Sequence, residues 1–513
     1  MPHPSTARLH EPSPFARLPT EVLKLILHQL SDPSLFSCLL VSRRLSALAR
    51  EELWRAPPLS AFESVIAPTT TDAVSIRSSV PSPSSLRHRQ MDSLGHTLQP
   101  LLQVGRLVRS ISVCHRDMTK ATPAVLWLIL WACPHLRSLS LDAGHDHVSN
   151  RPLISSAFLL QSVSFASSLR SLSLGTCDLQ DQTLAELARL CGPTLSQLAL
   201  TDCSAITEPA LVNFISQTPG LKAVELGSFQ SYLGTFSNRL LAGEALVMAL
   251  ADLSHLERLS IGHGICSVHK SWMVGLSPKF FPSLRSLIFA ASHDTASPEA
   301  MCVWISHLRS LSELSLAGDF INEAVVEQSV LATGRTLKAL HLIQASQMTI
   351  RALHLIAEHC PMVRSLQYTL PRSNPRLSVS PGWYDGAVAD LLDKCLLLES
   401  LALNTGRYVK FHDSSLEQIM PRAMCLRDLK LSTGQFQISD EFLSRCEDRG
   451  LLFPSLQALS FSLIDEQGCF PPPQRIVRFV ELCCPVLKAF DCGNISIWRE
   501  VTQALPTIRH LSW

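Results

Sequence analysis

A chain of 513 residues exceeds the roughly 250–300 at which one compact core stops growing, so it requires either several domains or an array that lengthens by repetition. Hydrophobic residues make up 46% against 17% charged, enough to order most of the chain. The 44 Lys and Arg nearly balance 43 Asp and Glu, which argues against a nucleic-acid partner, since such a partner ordinarily demands a basic excess. The longest membrane-like run, Ala124 to Cys133, is about half of the ~20 residues a bilayer span needs, and the Pro/Ser-rich start carries no secretory signal pattern. A soluble intracellular protein, cytoplasmic, nuclear or both, is expected.

Residues 1–13 are polar and Pro/Ser-rich and are expected to be disordered. The stretch 14–56 differs in kind. Val22, Ile26 and Leu30, with Leu23 and Leu27, make an apolar stripe on one helix, and Pro19 and Glu21 stand near its start, where they are favoured. Asp32-Pro33 stops and restarts the chain, with Asp32 expected to cap a second helix carrying Leu35, Cys38, Leu39 and Val41. A third helix runs through Leu45, Leu48 and Ala49 to Leu53 and Trp54. Three helices of this size make too small a core to stand well alone, so the stripe is expected to be buried on a partner.

This segment resembles the F-box at Leu18-Pro19, Glu21-Val22-Leu23, Ile26, Leu30, Asp32-Pro33, Leu35, Val41-Ser42-Arg43-Arg44 and Leu53-Trp54. One departure is Leu45, where the family commonly has an aromatic. The resemblance implies docking on the Skp adaptor of cullin-RING ubiquitin ligases, and through it on a cullin scaffold. It implies an adaptor-binding set of Leu18, Pro19, Val22, Leu23, Ile26, Leu30, Leu35, Val41 and Arg43. A plain helical cap shielding the rest of the chain would share the periodicity, but not the ordered match at so many positions.

Residues 57–100 form a linker, with a Ser/Thr/Pro-rich insertion at 68–85 expected to be mobile and a candidate phosphorylation target. From 101 to 513 a frame Leu-x-x-Leu-x-Leu recurs, beginning at Val108, Leu136, Leu169, Leu195, Leu221, Leu256, Leu284, Leu311, Leu337, Val363, Leu398, Leu426, Leu456, Leu487 and Ile508. The intervals 169 to 195, 195 to 221, 311 to 337 and 337 to 363 are each 26 residues, a period in the range of leucine-rich repeats. Leu198 and Leu200, two apart, share a strand face. Leu184, Leu187, Ala188 and Cys191 behind Asp181, and Leu353, Ile356, Ala357 and Cys360 behind Thr349, have helical spacing. Each unit is one strand plus one helix that must stack on its neighbours, which predicts an α/β solenoid, a parallel-stranded arc with helices outside. Strand register is least defined at Val363, Leu487 and Ile508, where Tyr368, Cys492 and Trp513 replace the last Leu.

Cys177 and Cys203, three residues past the last Leu, and Cys133, Cys360, Cys395 and Cys484, three before the next frame, resemble the cysteine-containing repeat class. The sixteen cysteines are therefore expected to be reduced and buried, not a disulfide framework. His145, Asp146 and His147, and His263, Cys266 and His269, lack a second ligand pair at zinc-like spacing. No phosphate-cradling loop or Gly-x-Ser-x-Gly elbow is present, so neither a cofactor nor catalysis by this chain is expected.

Residues alternating with the frame leucines point out of the core, and most are Ser or Ala. The outliers are the candidate substrate-binding residues: Glu225, Arg258, Glu313 and His341 in the middle, then Asp428, Lys430 and Asp491. The alternative recognition elements are the long loops Gly227 to Gly243 and Pro371 to Asp385. A ladder of cations just after the first frame residue, from Arg137 and Arg170 to Lys488 and Arg509, fits helix C-termini and solubility. Together with this repeat array, the F-box resemblance implies a substrate receptor of a ubiquitin ligase, monomeric within its complex, or else a non-proteolytic scaffold stabilised by the Skp adaptor.

Overall fold

The computed structural model describes residues 18–57, 61–62, 102–114, 123–142, 154–163, 167–201, 203, 206–227, 244–262, 281–291, 296–345, 350–369, 383–411, 413–436, 439–463, 472–491 and 495–510. Residues 1–13, the 68–85 insertion, both histidine clusters, Thr349, Cys492, Trp513 and nearly all of the two long loops lie outside them. The chain forms two compact units, Met1–Ala205 and Ile206–Trp513, so a unit boundary falls inside the repeat array.

The first unit opens with three helices, α1 (Thr20–His28), α2 (Asp32–Cys38) and α3 (Arg43–Leu53). Leu27, Leu35 and Ala49 form their core, with Leu30, Cys38, Leu39, Leu48 and Leu53 packed around it. Asp32 is the first helical residue of α2 and not its cap; the amide of Leu35 bonds back to the carbonyl of Ser31. At α3 the side chain of Ser42 accepts from the amide of Leu45 at 3.2 Å, satisfying one of the free N–H groups of the first turn. Strands β1 (Ser110–Val113), β2 (Ser138–Asp142), β3 (Ser171–Gly175) and β4 (Gln197–Thr201) then pair in parallel. The helix Asp181–Cys191 buries Leu184, Leu187, Ala188 and Cys191 on one face, with Gln180, not Asp181, at its cap.

The second unit continues the pattern in sequence order: β5 (Ala223–Leu226), β6 (Arg258–Ile261), β7 (Ser286–Ala290), β8 (Glu313–Ala317), β9 (Ala339–Ile343), β10 (Ser365–Thr369), β11 (Ser400–Phe411), β12 (Asp428–Phe436), β13 (Ala458–Leu463), β14 (Ala489–Asp491) and β15 (Arg509–His510). Each of these strands runs parallel to the next, as helical crossovers require. The frame is legible in the burial: Leu314, Leu316, Leu340 and Leu342 are buried while Ser315 and His341 are half-exposed. Register at β10 is regular, and Tyr368 fills the leucine slot completely buried. β14 and β15 shorten to three and two residues, whereas β11 and β12 run long, with register shifts after Asn404 and Gly406.

One backbone device repeats throughout. The carbonyl of the residue in the cation slot accepts two amides from the next repeat: Arg137 from Arg170 and Ser171, Lys338 from Arg364 and Ser365, Arg427 from Gln457 and Ala458. The slot uses its backbone inward, so its side chain projects to solvent and a long cation is tolerated there. In the first unit the ladder starts in the helical module, where the carbonyl of Arg55 accepts from Arg109 at 2.8 Å and Ser110 at 3.0 Å. Trp54 beside it packs edge-on against buried Phe62 at 5.8 Å between ring centroids.

The buried cysteines are not purely apolar fillers. The thiols of Cys177, Cys191 and Cys395 donate to the carbonyls of Gly175, Leu187 and Cys360 at 3.2, 3.1 and 3.4 Å. The described cysteines are all free thiols.

Candidate functional site

Two surfaces hold the residues singled out in the sequence. On α1 the apolar stripe divides. Leu23 and Leu27 turn inward and are 2% exposed, whereas Val22 and Ile26, about 100° round the helix, are 38% and 39% exposed. Leu25 at 68%, Leu40 at 90% and Val41 at 67% complete a set of outward apolar side chains on a module of three helices. Leaving five large hydrophobes in water is unfavourable by roughly 25 cal/mol for each Å² of apolar surface, which a covering partner recovers. Of the predicted adaptor set, Pro19, Val22, Ile26, Val41 and Arg43 are exposed and Leu18 and Leu30 half-buried. Leu23 and Leu35 lie in the core, so they support the surface from beneath. The sequence does not distinguish Leu25 and Leu40, because apolar letters within helical segments read as core.

The surface is held by polar contacts across the helices. Arg44 Nη2 donates to the carbonyl of Leu18 and to Thr20 Oγ1, Lys24 Nζ pairs with Glu51 at 3.0 Å, and His28 Nδ1 meets Glu52 Oε1 at 2.6 Å. The Lys24–Glu51 pair is exposed and contributes only up to about 1 kcal/mol, whereas the His28–Glu52 pair joins an exposed imidazole to a half-buried carboxylate.

The second surface is the face of the sheet in the second unit that carries the alternating residues. Here Glu225 on β5 is in register with Ser260, and Arg258 on β6 with Ala223 and Ser286. Glu313 on β8 stands between Ser286 and Ala339, and His341 on β9 between Ser315 and Gln367. The structure thus brings these four within five adjacent strands. Asp428, Lys430 and Asp491 form a second group over β12 to β14, separated from the first by the uncharged Ser365, Gln367, Ser400 and Ala402 of β10 and β11. His341 Nε2 lies 3.2 Å from Ser365 Oγ. Burial pushes the imidazole below its ordinary range, with Glu313 opposing the shift. Desolvation raises the carboxyls of Glu225 and Asp428, the latter partly offset by Arg427. Ile288 on β7, 38% exposed between Ser260 and Ser315, is a member of this face that alternation with leucine concealed.

The outward cations of the ladder are partly neutralised. Glu399 pairs with Arg364 at 3.1 Å and with Arg427 at 3.7 Å, and Lys222 meets Glu257 at 3.9 Å. Among the described residues, no group of three or more His, Cys, Asp and Glu is arranged to hold a metal ion, and no helix is long and apolar enough to cross a membrane.

Residues 15–59 match the F-box-like family model. No curated protein sequence matches the chain. Among solved structures, the yeast Rad7–Elc1 complex is similar over 68% of this chain and 90% of the other, at 15% identity and a TM-score of 0.46. The complex of TLR13 with ssRNA13 is similar over 77% of this chain and 59% of the other, at 13% identity and a TM-score of 0.35.

Proposed function

We propose that this chain is a substrate receptor of a ubiquitin ligase built on a Skp-type adaptor and a cullin. F-box modules bind Skp-type adaptors, and the observation that carries the reading is the outward set Val22, Leu25, Ile26, Leu40 and Val41 on such a module. The repeats present a protein substrate on the sheet face, and their recurrent buried cysteines, Cys133, Cys360, Cys395 and Cys484, are those of the cysteine-containing class. The chain contributes no bond-making step; transfer of ubiquitin belongs to other subunits.

The test is purification of the full chain from cells, followed by the abundance of its co-purifying proteins when the chain is deleted. A receptor brings down the adaptor and a cullin, and at least one co-purifying protein accumulates on deletion. Adaptor without cullin, and no accumulating protein, would assign the chain to a non-degradative scaffold instead.

A further inference from the structure

On strands β5 to β9 one row across the sheet reads Glu225, Ser260, Ile288, Ser315 and His341, each in register with the next. Two positions of this row interrupt its small side chains in a complementary way. Glu225 is half-buried, and among the described residues no donor or cation bonds its carboxylate. Ile288, two strands away and therefore about 10 Å off, offers apolar surface where its neighbours offer serine. One row back, Glu313 adds a second exposed carboxylate one strand beyond Ile288. Arg258, also exposed, bonds neither carboxylate.

A carboxylate drawn partly out of water without a counter-charge favours any partner that supplies one and disfavours any that adds negative charge. The exposed isoleucine rewards a partner that covers it with an apolar side chain. We propose that this patch is the specificity centre of the sheet face, and that its occupant is a substrate segment carrying a lysine or arginine next to an apolar residue. The cation meets Glu225, the apolar side chain covers Ile288, and Glu313 on the far side of Ile288 adds negative potential that favours the cation. The assignment rests on the receptor reading above and names the substrate class within it.

The test uses the full chain co-expressed with a Skp-type adaptor and an array of synthetic peptides made of Gly and Ser around one fixed pair: Lys-Leu, Lys-Ser, Glu-Leu or Glu-Ser. Lys-Leu peptides are expected to be retained at least about tenfold better than the glutamate pairs, the scale of one charge-assisted contact. Glu225→Gln with Glu313→Gln erases the preference for lysine, and Ile288→Ser reduces Lys-Leu to the level of Lys-Ser. Glu441→Gln with Glu481→Gln, at exposed helix positions off the sheet face, leaves both unchanged. Retention of glutamate peptides, retention of none, or a lysine preference that survives the double glutamine variant would overturn the proposal. Cullin association is read on the same preparation, so a failure of the receptor assignment shows there and not in the peptide preference.

Discussion

The guanidinium of Arg44, at the start of α3, donates to the backbone carbonyl of Leu18 at 2.8 Å. The same nitrogen reaches Thr20 Oγ1 at 2.9 Å, so one side chain fastens the segment entering α1 to a helix 26 residues away in sequence. Val22 and Ile26 lie just beyond on α1, and their placement depends on where that helix starts.

Removing the strap therefore frays the start of α1 without touching its apolar side chains. Arg44→Ala is expected to cost about 1 kcal/mol, the ordinary net value of such bonds at an exposed site, and to speed amide exchange at Thr20 to Leu23. Arg44→Lys restores this only in part, because the ammonium sits on a shorter stem than the one guanidinium nitrogen that makes both bonds. Unchanged exchange at these amides in Arg44→Ala would show that the strap is dispensable.

Thiol reactivity should follow burial. Desolvation pushes Cys133 and Cys360 up to about 12, and Cys191 and Cys395 up to about 11, leaving almost no thiolate near neutral pH. Cys114 and Cys425 are exposed. Alkylation of the native protein with iodoacetamide, mapped by mass spectrometry, should label Cys114 and Cys425 long before those four. Equal labelling of Cys360 and Cys425 would mean that the repeat carrying Cys360 opens readily.

Two glycines make a matched pair. Gly318, after β8, has φ +141°, and a Cβ there would lie 2.2 Å from the carbonyl oxygen of Ala291. Gly386, within the helix Trp383–Lys394, would meet nothing within 4 Å. Gly318→Ala is expected to lose at least about 2 kcal/mol through backbone strain and clash. Gly386→Ala should gain up to about 1 kcal/mol from helix propensity. Urea midpoints measure both, and equal midpoints for the two variants would contradict the local geometry.

His341 sets a pH dependence of stability. Its folded pKa lies below the unfolded value of about 6.5, so the unfolded chain takes up the proton first. The contribution is fully present above about pH 6.5 and is lost as pH falls through the depressed folded value. Glu313, the charged group acting on it, weakens the effect without reversing it. The raised carboxyls of Glu225 and Asp428 act in the opposite sense: their contribution is present below the ordinary carboxylate range and is lost as pH rises through their folded values. His341→Gln should therefore lose less Tm than the parent between pH 7.5 and 5.5. An identical loss would exclude His341 as a source of the slope.

Much of this architecture was legible in the letters, because the frame leucines impose period two on the strands and Leu184, Leu187, Ala188 and Cys191 impose helical spacing on the segment after β3. The division of α1 was not. Val22 and Leu23 are equally apolar, and only packing of Leu27 against Leu35 and Ala49 decides which of them turns inward. Ile288 is concealed for the same reason: beside Leu287 and Phe289, both fully buried, it reads as one more core residue. The role of Arg55 was hidden because it acts through its carbonyl on Arg109 and Ser110, a contact that no side-chain pattern announces.

The central claim, that the outward apolar face of the N-terminal helices docks an adaptor, is tested most directly by the affinity of the full chain for a purified Skp-type adaptor. Ile26→Asp places a carboxylate in the centre of the proposed contact while sparing the Leu27, Leu35 and Ala49 core. Desolvating that unpaired charge costs several kcal/mol, so binding should fall by at least about a hundredfold with the helical content intact. Leu40→Asp, on the most exposed of these side chains, should weaken binding in the same way. Undiminished adaptor affinity in both folded variants would contradict the assignment.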